Sequence, residues 1–261
     1  MKSTKQPNPR RQCGLFRGAL MLKKYGILSA CFCLLQTGQA MEMPPKVLTP
    51  HGKAPSDATV VFSGGSKEAL VNGAGELLGW PVQDGALIVN GEIGAYSKLH
   101  FSDAQIHVEF ACPNDGKQGA SAGNSGLYIH GLYELQIYNS YDQKIKPSAM
   151  LGAIYGQYIP PVNVARPAEQ WQVYDIIFHA PRRNEAGQVS EPGRVTAFLN
   201  GVLLYDNVEI KEPTVYGPLH HQPTPYSKEL YAKIKKTGRG PLFLQDHHSQ
   251  VRFRNIWIRT L

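Results

Sequence analysis

Beyond its first 40 residues the sequence has almost no cysteine. Cys13, Cys31 and Cys33 fall within residues 1–40, and only Cys112 follows them. One thiol cannot form an internal disulfide, so the fold must rest on a packed core, for which the chain is long enough. Cys112 reads as a small, partly buried residue at a strand end. Excess positive charge is lacking over the same region. The formal charge of +7 resides in seven basic residues of segment 1–40, which holds no Asp or Glu; without them 20 basic residues face 20 acidic ones. An electrostatic case for nucleic acid or for a membrane surface therefore disappears. The apolar run 25–35 is too short to cross a bilayer, so no membrane span is expected. Long helices are scarce as well, and only 227–236, SKELYAKIKK, has a helical pattern.

The leader has a use of its own. Lys23-Lys24 precede the apolar run, and Gly38-Gln39-Ala40 sets small residues before a cut after Ala40. Residues 1–40 thus read as a signal peptide, and the mature protein is expected outside the cytoplasm, periplasmic or secreted. Translation from Met21 would still give a complete short signal. A second reading makes Leu28-Ser29-Ala30-Cys31 a lipobox with the lipid on Cys31. Residues 41–58 are Pro-rich and aperiodic, a linker or N-terminal arm.

From Thr59 to Leu261 the pattern is strands and turns. In 101–110, FSDAQIHVEF, Ile106, Val108 and Phe110 alternate with His107 and Glu109. Residues 126–138 are extended with a break at Gly131, and 171–179, 195–199, 202–208, 241–247 and 251–258 continue the theme. Asp84-Gly85 and Asn200-Gly201 each stand between two apolar runs as hairpin turns. Many short strands with close turns predict an all-β sandwich or jelly roll spanning 59–261.

Four blocks are jointly specific: GNSGLYIHGLYELQIYNSY (123–141), GAIYGQYIPPVNVARPAEQWQVYDIIFHAP (152–181), RVTAFLNGVLLYDNV (194–208) and GPLFLQDHHSQVRFRNIWIR (240–259). Through them the chain resembles the 3-keto-disaccharide hydrolase domain family, similar in fold to concanavalin A-like lectins and glucanases. The resemblance implies a jelly roll of two packed antiparallel sheets with a concave sugar-binding face. It also implies a carbohydrate substrate already oxidised to a ketone at C3, a 3-keto sugar supplied by a separate oxidoreductase. Asn139 departs from the pattern, because many relatives have Asp there.

Glucanases of this fold that work through a covalent intermediate need two carboxylates about 5–5.5 Å apart. Here Glu134-Leu135-Gln136-Ile137-Tyr138-Asn139 offers one carboxylate and two amides, and an amide is neither nucleophile nor acid at neutral pH. A 3-keto sugar opens another route. Its ketone acidifies the C2 proton, one base removes it, the C1 oxygen leaves by β-elimination, and water adds back. Glu134 and His247 are the candidates for proton transfer. Gln136, Gln245, Arg254, Tyr155, Glu109, His130, Trp171 and Arg166 are candidates for holding the sugar. Period 2 puts Glu134, Gln136 and Tyr138 on one strand face, and Gln245 with His247 on another. Gly126 and Gly152 read as backbone permissiveness. No cofactor is specified. A divalent metal on His107, Glu109, His130 and His247 stays open, although the spacing gives it no support. Two other readings also stay open: a non-catalytic carbohydrate-binding module, and a conventional glycoside hydrolase with Glu109 or Asp175 as its second carboxylate.

Overall fold

The computed structural model describes residues 53–91, 94–114, 116, 123–144, 150–211, 213–218 and 223–261. The leader, Met21, Cys31, most of 41–58 and the pair His220-His221 lie outside the described residues.

Left-handed turn residues set the hairpins. Asp84-Gly85 (φ 50° and 73°) join β3 (Val82–Gln83) to β4 (Ala86–Ile88), and Asn200-Gly201 (φ 53° and 80°) join β12 (Gly193–Leu199) to β13 (Val202–Ile210). Two consecutive residues at positive φ make the turn whose twist matches that of the strands. The same geometry recurs where the sequence shows only a break. His130 and Gly131 (φ 58° and 66°) close β7 (Ser125–Ile129) onto β8 (Tyr133–Ile137), with Leu132 N–H donating to the Ile129 carbonyl at 3.0 Å.

The strands form two main antiparallel sheets, as the alternation predicts. The larger has the order β13-β12-β9-β6-β15-β4-β3, with β1 (Thr59–Phe62) also pairing β15. Here β6 is Ala104–Ala111, β9 is Gln172–His179 and β15 is Arg252–Thr260. The smaller sheet has the order β2-β5-β14-β7-β8, with β2 at Leu70–Val71, β5 at Ala95–Phe101 and β14 at Gly240–Leu244. The short strands β10 (Arg182–Arg183) and β11 (Val189–Glu191) pair beside them. Phe101, expected to open β6, instead closes β5. The core lies between the sheets. Ile106, Val108, Phe110, Tyr174, Ile176 and Phe178 of the larger sheet meet Leu127, Ile129, Leu135, Ile137, Leu242 and Leu244 of the smaller one. At about 25 cal/mol per Å², removing that apolar surface from water is the main favourable term. Buried Cys112 sits just after β6, as a strand-end residue, with its thiol donating to the Gly123 carbonyl.

The helix α1 (Pro225–Thr237) is the one the sequence indicates, extended by a few residues. Thr224 caps it, accepting from Ser227 N–H at 3.0 Å, and Gly238 ends it in the left-handed conformation. Leu230 packs with Val71, Tyr96, Tyr128 and Phe243 in a second apolar cluster, on the side of the smaller sheet facing away from the core. The helix therefore covers part of that face and leaves the β7–β8 end open.

Candidate active site

Strand period and pairing decide what lies at that open end. On β8 the core takes Tyr133, Leu135 and Ile137, so Glu134 and Gln136 point the other way. Across the β7–β8 pair Tyr128 stands opposite Glu134, and Gly126 opposite Gln136. Gln245 continues β14 on the same face, its N–H donating to the Gly126 carbonyl at 2.9 Å. Tyr128, Glu134, Gln136 and Gln245, with Asn124, Tyr155, Tyr216 and His247, line a cavity of about 320 Å³.

Gly126 leaves room for two of these side chains. A Cβ there would come within 2.7 Å of Glu134 Oε1 and 2.6 Å of Tyr128 Cε2. Its backbone is ordinary, so glycine is needed for volume, not for the conformational freedom expected from the sequence. Gly152, at φ 92°, does use that freedom.

Glu134 is buried, 3% exposed, and its backbone N–H donates to Thr214 Oγ1 at 3.1 Å. Burial pushes its carboxyl up to about 7, opposed by the Tyr128 hydroxyl within hydrogen-bonding reach. Gln245 Nε2 donates to that hydroxyl at 3.1 Å, which leaves the phenol proton free to point at the carboxylate. The Tyr128 ring is anchored in the apolar cluster under α1, while its oxygen reaches the cavity. Tyr155 and Tyr216 meet edge to face at 6.0 Å on the cavity wall. His247 is exposed at the rim. Among the described lining residues Glu134 is the one carboxylate.

Gln136 is 5% exposed, and its Oε1 has no hydrogen-bond partner among the described residues. Its backbone is fully used, accepting from Gly152 N–H and the Tyr174 hydroxyl. A buried amide without a partner costs about 1–3 kcal/mol.

Five of the ten residues singled out in the sequence therefore meet in one cavity: Glu134, Gln136, Tyr155, Gln245 and His247. The other five do not. Glu109 and Arg254 lie on the outer face of the larger sheet, paired across β6 and β15, with Arg254 Nε donating to Glu109 Oε2 at 2.6 Å. The Arg254 guanidinium covers the Trp171 ring at 3.8 Å, so that ring offers this face to a cation and not to a sugar. Arg166 donates to the Trp171 carbonyl at 2.7 Å, bracing its own loop. His130 is 2% exposed, held in the turn of the β7–β8 hairpin against Phe101 and Phe178. Burial lowers its pKa to about 4, against hydrogen bonds at the Phe101 and Ser102 backbone. Shared alternation misled the reading, because a strand has a polar outer face in either sheet and sequence alone does not say which sheet it joins.

The four residues considered for a metal are likewise dispersed. His107 and Glu109 belong to the larger sheet, His130 to the core and His247 to the cavity rim; among the described residues no group of three or more His, Cys, Asp or Glu could hold an ion. His107 is engaged elsewhere, with Nδ1 2.6 Å from Asp175 Oδ1 and its ring stacked on Trp257 at 5.0 Å. Burial works against its charged form, but the hydrogen bonds and charges of Asp175 and Glu109 outweigh it and hold the ring at about 9. Glu109 is held down at about 2, first by the bond from His107, against burial, with Asn255 and Arg254 adding to it. Both carboxylates proposed as partners for Glu134 are thus tied up on the other sheet. Asn139 lies outside the cavity lining.

Tyr128, Asn124, Tyr216 and the volume role of Gly126 escaped the sequence reading. Tyr128 was legible in principle, since Gly126 and Tyr128 alternate with core residues on the strand next to Glu134.

Known proteins resemble this chain in sequence and fold. The family described as "3-keto-alpha-glucoside-1,2-lyase-like domain" matches residues 59–259. A Parabacteroides distasonis protein, described as a candidate glycosyl hydrolase, is 35% identical, with a TM-score of 0.72 over 84% of this chain and 92% of its own. A second one from that organism, described in the same terms, is 18% identical, with a TM-score of 0.50 over 78% of this chain and 94% of its own, a likeness of fold. No curated protein matches the chain.

Proposed function

The chain belongs to the 3-keto-alpha-glucoside-1,2-lyase-like domain family, and from that premise we propose that the Glu134 cavity cleaves the glycosidic bond of a 3-keto sugar by elimination and hydration. The observation that carries the reading is a lone buried carboxyl, pushed up to about 7, among amides and phenols. A base titrating near neutrality is matched to proton abstraction at working pH. Displacement at C1 would want a second carboxylate, and none of the described lining residues supplies one.

In this mechanism Glu134 takes the C2 proton. The C–H electron pair moves toward C3 and charge builds on the ketone oxygen, where the amide and phenol donors of the cavity stabilise it. Collapse of that enolate forms the C1–C2 double bond and expels the glycosidic oxygen, protonated by His247 at the rim. Water then adds hydroxyl to C1 and a proton to C2, so the net reaction is hydrolysis. Tyr155 and Tyr216 give the mouth an aromatic wall suited to the leaving group. A separate oxidoreductase would have to supply the ketone. The related candidate glycosyl hydrolase from Parabacteroides distasonis agrees with carbohydrate as the substrate class.

The test is to incubate the purified protein with a glycoside and with its 3-keto derivative, the latter deuterated at C2. Release of the leaving group from the keto sugar alone, with loss of the label, is expected. Glu134→Gln should slow it by about 10²–10⁴-fold. Efficient cleavage with the C2 label fully retained would sink elimination.

A further inference from the structure

The mechanism above leaves the Gln136 amide without an assigned partner. Its Oε1 is the one atom of the cavity lining among the buried side-chain polar atoms that lack a hydrogen-bond partner in the described residues; the others belong to Trp80, His100, His130 and Ser140. The side chain is more than nine-tenths buried and points into the cavity, two residues from Glu134 on the same strand face. Buried polar groups are nearly always paired, so an unpaired one on a side chain that lines a cavity is a receptor for something that enters.

Chemistry narrows what that is. Oε1 only accepts hydrogen bonds. Around the reacting bond, the C3 ketone oxygen and the C1 glycosidic oxygen carry no proton, and the hydroxyl on C2 does. We propose that Gln136 reads the α-hydroxyketone unit of the substrate, with Oε1 accepting from the C2 hydroxyl and Nε2 donating to the C3 oxygen. Two atoms of one planar amide then meet two oxygens on adjacent carbons, next to the proton that Glu134 removes. This rests on the elimination reading. It adds that the enzyme demands a free C2 hydroxyl, although elimination itself does not need one.

The experiment compares 3-keto-glycosides with and without the C2 hydroxyl, in wild type and in Gln136→Met. Turnover is corrected for each compound's elimination rate in hydroxide, and binding is read by calorimetry. Wild type should favour the hydroxyl compound by about 10²-fold or more in kcat/KM, because a site built to bond a hydroxyl rejects the analogue lacking it. In Gln136→Met the preference should shrink to within about 10-fold, while the melting temperature holds or rises, since the amide has no partner among the described residues to lose. Turnover of both keto sugars without preference, or an unchanged preference in Gln136→Met, overturns the role of Gln136 and leaves elimination standing. A marked fall in melting temperature would assign the amide a structural bond instead. If neither keto sugar is bound or turned over, both the elimination reading and this one fall.

Discussion

Tyr128 and Glu134 face each other across the β7–β8 pair, phenol to carboxylate, with Gln245 Nε2 holding the phenol oxygen from behind at 3.1 Å. The phenol lowers a carboxyl that burial raises to about 7. Removing it should lift that value further and move the acidic limb of the rate profile to higher pH, by up to about one unit. Tyr128→Phe, followed by kcat/KM against pH, checks this. An unmoved limb would mean that the two groups do not interact in the working enzyme.

Gly126→Ala sets a methyl group 2.7 Å from Glu134 Oε1. The backbone tolerates alanine, so the domain should fold, but the carboxylate must move. A displacement of about 1 Å costs on the order of 10²-fold in rate. Circular dichroism should remain that of wild type while kcat falls; full activity would show that the carboxylate has another working position.

Arg254 lies on the other sheet, so Arg254→Ala should leave kcat and KM for the sugar unchanged. The cost should fall on stability, about 1 kcal/mol, kept small by exposure of the guanidinium, which is 41% accessible. The same network predicts a pH signature. His107 is raised to about 9, so its contribution is complete below 6.5 and is lost as pH rises through 9. Glu109 is lowered to about 2, so its contribution is complete above 4.5 and is lost as pH falls through 2. The melting-temperature gap between wild type and His107→Gln should therefore be widest near pH 5–6 and narrow toward pH 9.

The fold was readable because its signals are local. Alternation in 104–111, the Asn200-Gly201 and Asp84-Gly85 turns, and the short helix before Gly238 each declare themselves within a few residues. The cavity was only half readable. Period 2 places Glu134 with Gln136, and Gln245 with His247, but nothing local says that these two strands share a sheet while Glu109 and Arg254 belong to the other. Sheet membership is set by long-range pairing, and strands with the same polar alternation are interchangeable on paper. His130 misled for a related reason: it sits at a turn, where exposure is the ordinary expectation, yet the hairpin tip folds under and packs its ring between Phe101 and Phe178.

We further propose that residues 1–40 are removed on export, from the apolar run 25–35 and Gly38-Gln39-Ala40. Intact mass of the protein recovered from its native host should correspond to a start at Met41. A diacylglycerol mass on Cys31 would move it to the membrane-anchored class.

The sharpest check on Glu134 is thermodynamic and needs no substrate. Its carboxyl is buried and is raised from an ordinary 4.5 to about 7. The folded state therefore holds a proton that the unfolded chain has already lost over that interval. Below pH 4.5 both states are protonated and the carboxyl costs nothing extra. As pH rises from 4.5 to 7 the unfolded state is favoured progressively, and above 7 the full penalty is present, on the order of 3 kcal/mol. Glutamine keeps the shape and cannot ionise. Glu134→Gln should thus match wild type in melting temperature near pH 4 and exceed it at pH 8 by roughly 5–10 °C for a domain of this size. His107, Glu109 and His130 titrate alike in both proteins, so they cancel from the difference. A gap that is flat with pH would show that Glu134 keeps an ordinary carboxyl, and the case for it as a base matched to neutral pH would fail, whatever the sugar. A gap that opens between pH 4.5 and 7 would show that the fold gives up stability to hold a proton acceptor at the floor of this cavity, a trade expected of a site selected for activity.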